Sequence, residues 1–535
     1  MRPQPWSPQE IPTIWVDYTT GYGRTGAGAE VKPRIAGGRV KPNLLDMLET
    51  AAHLGAGRIM FTGKLPDREP GKAHWLMAST KGWDAANVFP KGDAATFIRQ
   101  TTLQKVEVRT AAEWFGDIHL SPEQARQSWD MVATTLRNVE ERATMFLSPS
   151  ATGRNLWALS LPKNVDLEPV SADIAEEIHK TAGQHHLEHL VAGENFSNSP
   201  MCQPLIDPKT TPNIDKFAYV DGRFMYASLC RELGIGPGRR LNRAAAFDLL
   251  ENDRYARARY LVRFTVPQDW EHVGIFALQH LKVADGWYYP NIPGTGGDTW
   301  ADAAEIDIAR RHGWTVEPLE AVQFQKARPL DTFAERIIRA RDRVDSNLEL
   351  PALLRKAVSA ALRAMVIQAI GAFASRGLDR VIRVSSAREI PVEYQGSVER
   401  YGNEFTYTIP GQISERNRPF YHPEFASQIW ARGRAKVLET PLAGSYGNAR
   451  GGALSVNPKT LIGINGDAIY TTEVPRWALP ERFGGGDDGK TGRLRLQGVV
   501  EGNMITPASL RARDSLKKRA EKAGPESAFE MEMAS

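Results

Sequence analysis

The sequence predicts an α+β protein with several domains. Its length of 535 residues corresponds to several domains of roughly 150 residues each and is sufficient for a large core. Apolar, strand-like runs occur near residues 13, 57, 217 and 460, and stretches with helical periodicity lie between them. The length and the mixture of both periodicities together indicate a multidomain α+β architecture.

The amino-terminal segment combines strands with one long helix. Thr13–Asp17 and residues 57–62 are typical of strands, and segments rich in glycine and proline join them. Ser121 is placed as a helix N-cap, and Pro122 suits the first helical position. An amphipathic helix of at least four turns is predicted by apolar residues at helical spacing, which are Trp129, Val132, Leu136 and Val139.

The net charge, the apolar runs and the cysteine content limit which classes of protein this chain can belong to. The net charge is only +4 with a pI near 8.8, which permits DNA binding at local basic clusters without demanding it. No apolar run approaches 18 residues and no charged-then-apolar leader follows Met1, so we expect a soluble cytoplasmic protein with no membrane partner. The cysteines, Cys202 and Cys230, are more typical of small buried residues than of a disulfide or a metal pair.

Two carboxylates lie at the ends of apolar, strand-like runs. Asp221 ends one run and is followed by Gly222, an arrangement in which main-chain carbonyls are also free to coordinate a hard cation. Asp467 follows a strand and a tight Asn465-Gly466 turn, and a second strand begins after it. Carboxylates on neighbouring strand ends could share two Mg²⁺ ions, which is the arrangement used for phosphoryl transfer.

A predicted helical hairpin carries two cations on one face. Residues 331–343 and 351–375 have helical periodicity and are joined by a polar turn. Lys356 and Arg363 are seven residues apart, so they lie on the same face of the second helix. Such a pair suits a triphosphate, whose negative charge needs fixed positive partners. A solvated basic face is the alternative, and the residues alone favour it.

The carboxyl-terminal region alternates charged and apolar residues around Arg493 and Arg495. This pattern is typical of a strand that contacts DNA phosphates and also of an exposed edge strand guarded by charge. Residues 511–522 carry six cations and two acids and predict a basic helix, followed by a disordered end.

Three motifs, in order along the chain, carry a resemblance to a known family. Asp221-x-x-Phe-Met-Tyr226-Ala resembles the first polymerase motif of family B DNA polymerases, D-x-x-S-L-Y-P. Asn465-Gly-Asp467-Ala-Ile resembles the third, D-T-D-S followed by an apolar residue. Between them, residues 363–375 resemble the second, K-x-x-x-N-S-x-Y-G followed by K-F-A-S.

The resemblance covers residues 210–475 and is closest to the short, protein-primed polymerases of phages and linear plasmids. It implies a polymerase right-hand fold with palm, fingers and thumb, preceded by an N-terminal α/β exonuclease-like domain. The implied divisions are an inactive exonuclease-like domain with a helical region (1–210), the first part of the palm (211–325), the fingers hairpin (326–380), the second part of the palm (381–475), the thumb (476–522) and a disordered tail (523–535).

The resemblance also implies roles for the residues of the first and third motifs. Asp221 and Asp467 would be the catalytic carboxylates that bind Mg²⁺ or Mn²⁺, with the Gly222 carbonyl as a further ligand. Tyr226 would lie under the sugar of a deoxynucleoside triphosphate and exclude a 2′-hydroxyl.

Cations outside these motifs would bind the substrates. Arg363 stands where the family has a lysine, and with support from Lys356 it would bind the triphosphate. The resemblance therefore favours triphosphate binding, whereas the residues alone favour a solvated basic face. Arg493 and Arg495 would bind primer-template DNA. A terminal protein and other replication proteins are further candidate partners.

A helix that precedes the third motif resembles the family's helix beneath the catalytic strands. Phe425, Ile429 and Val437 are expected in the core, and Arg432 and Arg434 are expected at the surface.

Several residues depart from the family pattern. Asn465 stands where the family has the first Asp of its third motif and adds no negative charge, and Ile370 replaces a tyrosine that packs on the incoming base. Asp17-Tyr-Thr19 lacks the second carboxylate of the D-x-E exonuclease motif, and a two-metal nuclease site does not easily lose a bridging ligand. Two hypotheses follow. One is a template-directed DNA polymerase without proofreading in phage- or plasmid-type replication, and the other is an inactive polymerase-like protein that binds primer-template DNA or a replication partner.

Overall fold

The computed structural model describes residues 2–7, 10–37, 39–66, 74–78, 80–162, 167–181, 188–189, 201–253, 255–279, 287–401, 404–442 and 449–525. The chain divides into two compact units. Residues 2–163 and 335–421 form the first, which we call the N-terminal unit. Residues 164–334 and 422–535 form the second, which we call the Asp221 unit.

The strands of the described residues, numbered in chain order, are β1 (Thr13–Asp17), β2 (Gly23–Thr25), β3 (Glu30–Val31), β4 (Arg58–Thr62), β5 (Trp83–Phe89), β6 (Ala94–Arg99), β7 (Lys105–Thr110), β8 (Glu188–His189), β9 (Asn213–Gly222), β10 (Leu233–Leu241), β11 (Arg257–Thr265), β12 (Leu278–Gln279), β13 (Trp287–Tyr288), β14 (Gly296–Asp302), β15 (Thr315–Ala327), β16 (Arg380–Val384), β17 (Glu399–Tyr401), β18 (Glu404–Ile409), β19 (Thr440–Pro441), β20 (Arg450–Gly451), β21 (Leu461–Asn465), β22 (Ala468–Thr471) and β23 (Leu494–Ile505). The α-helices are α1 (Leu44–His53), α2 (Ala112–Phe115), α3 (Pro122–Arg137), α4 (Pro149–Ser160), α5 (Ala172–Thr181), α6 (Met225–Leu229), α7 (Arg243–Asn252), α8 (Ala303–Arg311), α9 (Asp331–Ser346), α10 (Ala352–Ala374), α11 (Pro423–Leu438) and α12 (Leu510–Ala523).

The N-terminal unit is built on a ten-stranded sheet in the order β17-β18-β16-β5-β6-β7-β4-β1-β2-β3. Its strands β1, β4 and β7 run parallel, and their apolar side chains share one core with α1. The strands predicted at Thr13–Asp17 and near residue 58 are therefore confirmed. Because both faces of parallel strands are covered, these runs are continuously apolar rather than alternating.

Residues 381–421 lie in the N-terminal unit, although the sequence analysis grouped 381–475 as the second part of the palm. Strand β16 pairs antiparallel with β18 and joins β5 through Val381 and Val88. Val381 also packs against the core of this unit. The apolar run that begins at Val381 therefore extends the N-terminal sheet, and this tertiary pairing has no signal in local periodicity.

The long helices of the N-terminal unit begin and end close to the predicted residues. Ser121 caps α3 by accepting a hydrogen bond from the Gln124 backbone N–H, the Gln124 side chain completes the capping box, and Pro122 opens the helix. Helices α9 and α10 confirm the predicted pair of helical stretches, with shifts of a few residues at their ends.

Helix α10 contains an 18-residue window with a mean hydropathy of 1.6, which by length and composition alone is apolar enough to cross a membrane. The sequence analysis found no such run, because Ser359, Arg363 and Gln368 interrupt its apolar residues. Half of this window is buried. The helix packs against α4 at Gly153, where an added Cβ would lie 2.7 Å from the Met365 carbonyl oxygen and 2.9 Å from Ala369 Cβ. Helix α10 is thus part of the packed interior of this unit.

The Asp221 unit contains an antiparallel five-stranded sheet in the order β23-β9-β22-β21-β8 and a four-stranded sheet in the order β10-β15-β11-β14. Strand β23 lies in the region predicted as the thumb, yet it pairs with β9 along most of its length. Helix α12 confirms the predicted basic helix, and its Leu516 and Ala520 enter the core beneath β9. The region predicted as the thumb therefore supplies both an edge strand and a covering helix to the sheet that carries Asp221.

Both cysteines are free thiols, as their sequence context predicted. Burial raises the pKa of each thiol to about 12. Cys230 is fully buried, and Cys202 Sγ donates to the Tyr289 carbonyl oxygen at 3.1 Å. These environments stabilise the neutral thiol and disfavour a thiolate.

We expect Gly153→Ala to lower the free energy of unfolding of the full chain by about 1–3 kcal/mol, because the added methyl group overpacks the α4–α10 contact. The matched control is Gly371→Ala on α10, where an added Cβ meets nothing within 4 Å. Replacing this helical glycine should stabilise by about 0.5–1 kcal/mol. Denaturant unfolding of the wild type and both variants measures the difference, and equal effects of the two substitutions would contradict the close helix packing.

Candidate active site

Strand β9 positions Asp221 in the middle of the five-stranded sheet. Its last six residues are buried, and Asp221 itself is only 2% exposed. The rings of Phe217 and Tyr219 each stack on Tyr470 of β22 at centroid distances of 5.6 Å. These cross-strand aromatic pairs stabilise one register of β9 against β22.

That register brings Asp467 to the end of β9. Ala468 pairs with Asp221, and the Gly222 N–H donates to the Asp467 carbonyl oxygen at 3.2 Å. A Cβ added to Gly222 would lie 3.2 Å from Asp467 Oδ2, so the Asp467 carboxylate is directed at the end of β9. The structure therefore places Asp467 beside the end of β9, next to Asp221 in the sheet, although 246 positions separate the two residues in the sequence.

The predicted turn between β21 and β22 is present, with Gly466 in the left-handed region at φ 59°. Asn465 pairs with Ala468 across this hairpin. Glycine adopts a positive φ without steric cost, which explains why a two-residue turn fits here. Gly466 and Asp467 form this two-residue turn, so Asp467 immediately precedes β22.

The chain beyond Asp221 is sterically constrained. A Cβ at Gly222 would lie 2.7 Å and 2.8 Å from atoms of the Met225 side chain, so only glycine fits at this position. Phe224 has φ 51° and ψ 43°, a left-handed conformation that a bulky residue rarely adopts. Backbone strain of this kind is common at catalytic and binding sites.

Tyr226 lies on the short helix α6, directly after this strained turn. Its ring lies beside α11, where a Cβ at Gly433 would be 3.7 Å from Tyr226 Cε1. The side chain is only partly buried. The sequence analysis assigned Tyr226 to the nucleotide sugar, and that role stays a prediction.

Helix α11 fixes the floor beneath this site through two arginines that the sequence analysis placed at the surface. For Arg434 that placement is wrong, because it is 5% exposed and binds Glu305 of α8 with Nε–Oε1 and Nη2–Oε2 distances of 2.7 Å and 3.1 Å. Arg432 is partly buried and donates to the backbone carbonyls of Leu229, Arg231 and Glu232. Burial of the Arg434 guanidinium is tolerated because the Glu305 carboxylate binds it through two hydrogen bonds.

Strand β23 places the two predicted DNA-binding arginines beside β9. Arg495 is the cross-strand partner of Asp221, which puts a cation next to a predicted metal ligand. Arg493 forms a bidentate ion pair with Asp488 at 2.9 Å and 3.1 Å and holds the pKa of the Asp488 carboxyl well below its usual range. Arg493 is therefore positioned by a carboxylate rather than extended into solvent.

The other predicted nucleotide-binding residues lie on α10 in the N-terminal unit. Lys356 and Arg363 are both on its exposed side, as their spacing predicted. Ile370 is completely buried, and Gln368 donates to the Glu113 carbonyl oxygen at 3.3 Å. Gln368 and Ile370, which replace the serine and the tyrosine of the second motif, therefore pack within this unit.

Asp17 of the degenerate exonuclease motif has a local structural role. Its Oδ1 accepts hydrogen bonds from the backbone N–H groups of Thr19 and Thr20, both at 2.9 Å. Its Oδ2 packs against Gly63, where an added Cβ would lie 2.2 Å away. These contacts are those of a turn-stabilising aspartate at a strand end.

Mg²⁺ and Mn²⁺ bind oxygen ligands such as carboxylates and main-chain carbonyls. Asp221, Asp467 and the Gly222 carbonyl fit this requirement, because the Asp467 carboxylate faces the end of β9 where the other two lie. Among the described residues, no group of three or more His, Cys, Asp or Glu side chains is arranged to hold a metal ion. Asn465, which is neutral, lies across the hairpin from Ala468 and adds no carboxylate here.

The sequence analysis did not single out Lys436 and Ser228, which lie beside the start of β23. Lys436 Nζ is 3.5 Å from Ser228 Oγ. Lys436 follows Arg432 by four residues and so lies on the same helix face. That spacing was the available signal, and it was missed because the helix was interpreted only as core with a charged surface.

Similar folds are found among solved DNA polymerases. Phi29 DNA polymerase in an orthorhombic crystal form matches with a TM-score of 0.51 at 12% identity, over 92% of this chain and 85% of that chain. Phi29 DNA polymerase complexed with primer-template DNA and incoming nucleotide substrates matches with a TM-score of 0.52 at 10% identity and the same coverage. No family model and no curated protein sequence matches the chain. The predicted α+β polymerase fold is confirmed, because the chain shares the fold of phi29 DNA polymerase.

We expect Gly222→Ala to lower the free energy of unfolding of the full chain by about 1–3 kcal/mol, because the new Cβ collides with Met225 and with the Asp467 carboxylate. Gly466→Asn in the neighbouring hairpin is the control, since asparagine tolerates the left-handed region and nothing lies within 4 Å of its Cβ position. Calorimetric unfolding compares the two. If both variants unfold like the wild type, the close approach of Asp467 to β9 is wrong.

Proposed function

We propose that this protein is a template-directed DNA polymerase that transfers deoxynucleotides with two divalent metal ions. The observation that supports this proposal is the pairing of β9 with β22, in which Asp221 pairs with Ala468, the residue after Asp467, in a chain with a polymerase fold. Two adjacent carboxylates at the ends of neighbouring strands suit phosphoryl transfer, because the reaction needs cations fixed at both the attacking and the leaving oxygen. The fold alone would not select this chemistry.

Residues of the Asp221 unit bind the metal ions and the nucleotide sugar. Asp221, Asp467 and the Gly222 carbonyl bind the two Mg²⁺ or Mn²⁺ ions. When bound, the metals lower the pKa of the primer 3′-hydroxyl and neutralise the phosphates of the leaving group. Tyr226 packs under the sugar of the incoming nucleotide and excludes a 2′-hydroxyl, which makes deoxynucleoside triphosphates the substrates.

The cations outside the carboxylate pair hold the substrates. Arg363 and Lys356, both exposed on α10, bind the triphosphate. Arg493 and Arg495 of β23 bind the primer-template DNA. Arginine in place of lysine at position 363 offers two parallel donors to phosphate oxygens instead of one point charge.

We further propose that the enzyme lacks proofreading and acts in phage- or plasmid-type DNA replication in the cytoplasm. The Asp17 carboxylate is engaged in its own turn, and Thr19 offers no second carboxylate. Similarity of fold to a protein-primed polymerase makes a terminal protein a candidate partner, along with other replication proteins.

A second function is favoured by two observations. Ile370 is completely buried in the N-terminal unit and has no aromatic ring that could stack on an incoming base. Asn465 is neutral where the family has a negatively charged aspartate. Both changes suit a polymerase-like protein that binds primer-template DNA, or a replication partner, without catalysis. Retention of both Asp221 and Asp467 favours the enzyme.

Primer extension with the full chain separates the two functions. We expect the wild type to extend a primed template with Mg²⁺ or Mn²⁺, and Asp467→Ala to lower the rate by several orders of magnitude, because a direct metal ligand is lost. Asp215→Ala is the matched control, since Asp215 is an exposed aspartate on the same strand as Asp221. No extension by the wild type with either metal would favour the non-catalytic function.

The charges around Asp221 lead to a second prediction. Asn465 contributes no charge and Arg495 adds a positive one opposite Asp221, so we expect weak metal binding that Asn465→Asp strengthens by roughly tenfold. Titration calorimetry with Mn²⁺ measures this without turnover. Asn213→Asp, the same change at the exposed far end of β9, should leave the affinity unaltered. Equal Mn²⁺ affinity in the wild type and Asn465→Asp would place the metal elsewhere.

A further inference from the structure

A cationic cleft lies in the Asp221 unit, between α11, α8 and the start of β23. Its volume is about 560 Å³, and its walls include Arg432, Lys436, Glu439, Arg450 and Arg493. More of its lining side chains are cationic than acidic. An excess of fixed positive charge in a concave site attracts anions.

Most of these cations are already neutralised by carboxylates or carbonyls. Glu439 binds both Arg311 and Arg450, at 3.0 Å and 2.9 Å. Arg493 is paired with Asp488, and Arg432 donates to backbone carbonyls. The affinity of the cleft for an anion therefore depends on a cation that has no such partner.

Lys436 is that cation. Its Nζ lies 3.5 Å from Ser228 Oγ, and no carboxylate of the described residues lies within 4 Å of it. Burial, together with the nearby Arg493, lowers the pKa of Lys436 to about 8. An anion placed against the ammonium would offset this desolvation and repulsion, because opposite charge stabilises the protonated form.

Gly492 allows the hydroxyl and the ammonium to meet. It has φ 88°, and an added Cβ would lie 2.4 Å from Ser228 Oγ and 2.7 Å from Lys436 Nζ. Any larger residue at position 492 would displace the Ser228 hydroxyl or the Lys436 ammonium. The Ser228 hydroxyl donates to the Met225 carbonyl oxygen at 2.6 Å and accepts from the Lys436 ammonium, so the left-handed glycine leaves room for the hydroxyl to position the ammonium, which retains further protons for a phosphate oxygen.

The site lies close to Asp221, in the turn that precedes β23. Arg495 pairs with Asp221, and Gly492 is three residues earlier, so at most about 10 Å of chain separates the two positions. The Gly492 N–H donates to the Arg223 carbonyl oxygen at 2.6 Å, which ties this site directly to the turn after Asp221. A nucleic-acid strand that ends at Asp221 can therefore run past Lys436.

We propose that Lys436, held in place by Ser228 Oγ, binds a backbone phosphate of the primer strand, close behind its 3′ end. This inference rests on the proposed polymerase function and adds a contact that determines how the primer is held. The phosphate accepts a hydrogen bond from the ammonium, and Arg493 adds to the positive potential without giving up Asp488. The contact is to the backbone, so it is independent of base sequence.

The test measures binding of the full chain to a labelled primer-template by fluorescence anisotropy. We expect Lys436→Gln to raise the Kd about 5- to 30-fold and to reduce the slope of log Kd against log salt by about one, because one phosphate contact is lost. Lys216→Gln is the matched control, since Lys216 lies on β9 and is already paired with Glu501 at 2.9 Å. Lys436→Gln should unfold at the wild-type temperature or above it, because a buried ammonium without a carboxylate partner is removed.

A neutral methylphosphonate linkage, moved one position at a time along the primer, identifies the phosphate. One linkage near the 3′ end should weaken binding by the wild type and leave Lys436→Gln unaffected. Equal Kd values and salt slopes for the wild type and Lys436→Gln would overturn the inference while leaving primer extension, and hence the proposed function, intact. A raised KM for deoxynucleoside triphosphates with an unchanged Kd for DNA would overturn it too, by assigning the site to the free nucleotide.

Discussion

The pairing of β9 with β22 is the constraint on which the candidate active site depends. Side chains alternate between the two faces of a strand, so a slip of one residue would turn Asp221 away from Asp467. The stacked rings of Phe217, Tyr219 and Tyr470 oppose such a slip, because they bury their faces only in this register. The backbone hydrogen bond from Gly222 to Asp467 closes the ladder beside Asp221.

Charge around the carboxylates is the second determinant of what the site can do. Asn465 is neutral and Arg495 is cationic, so Asp221 and Asp467 carry the negative charge of the site against a nearby positive group. Beneath them, the buried ion pair of Arg434 and Glu305 holds α11 against α8. A buried pair of this kind stabilises little by itself, yet loss of one partner would leave an uncompensated charge in the interior.

The sequence predicted local features well. The N-cap at Ser121, the Asn465-Gly466 hairpin, the strand that ends at Asp221 and the basic helix after residue 510 each depend on neighbouring residues, and each is present. The sequence did not indicate three features of tertiary placement, and the surface placement of Arg434 was wrong. Residues 381–421 joined the N-terminal unit, β23 joined the sheet of Asp221, and Arg434 was buried, because in each case a distant partner decided the outcome.

The sequence by itself determined which residue types stand at strand ends, where the tight turns occur and which motifs have the order of a polymerase. These depend on local conformational preference and on periodicity, which neighbouring residues specify. Only the tertiary structure decided that Asp221 and Asp467 are neighbours, that Arg495 lies opposite Asp221 and that Lys436 meets Ser228 beside Gly492. Such contacts depend on sheet register and on buried partners far along the chain, and neither leaves a pattern in the residues that flank each site.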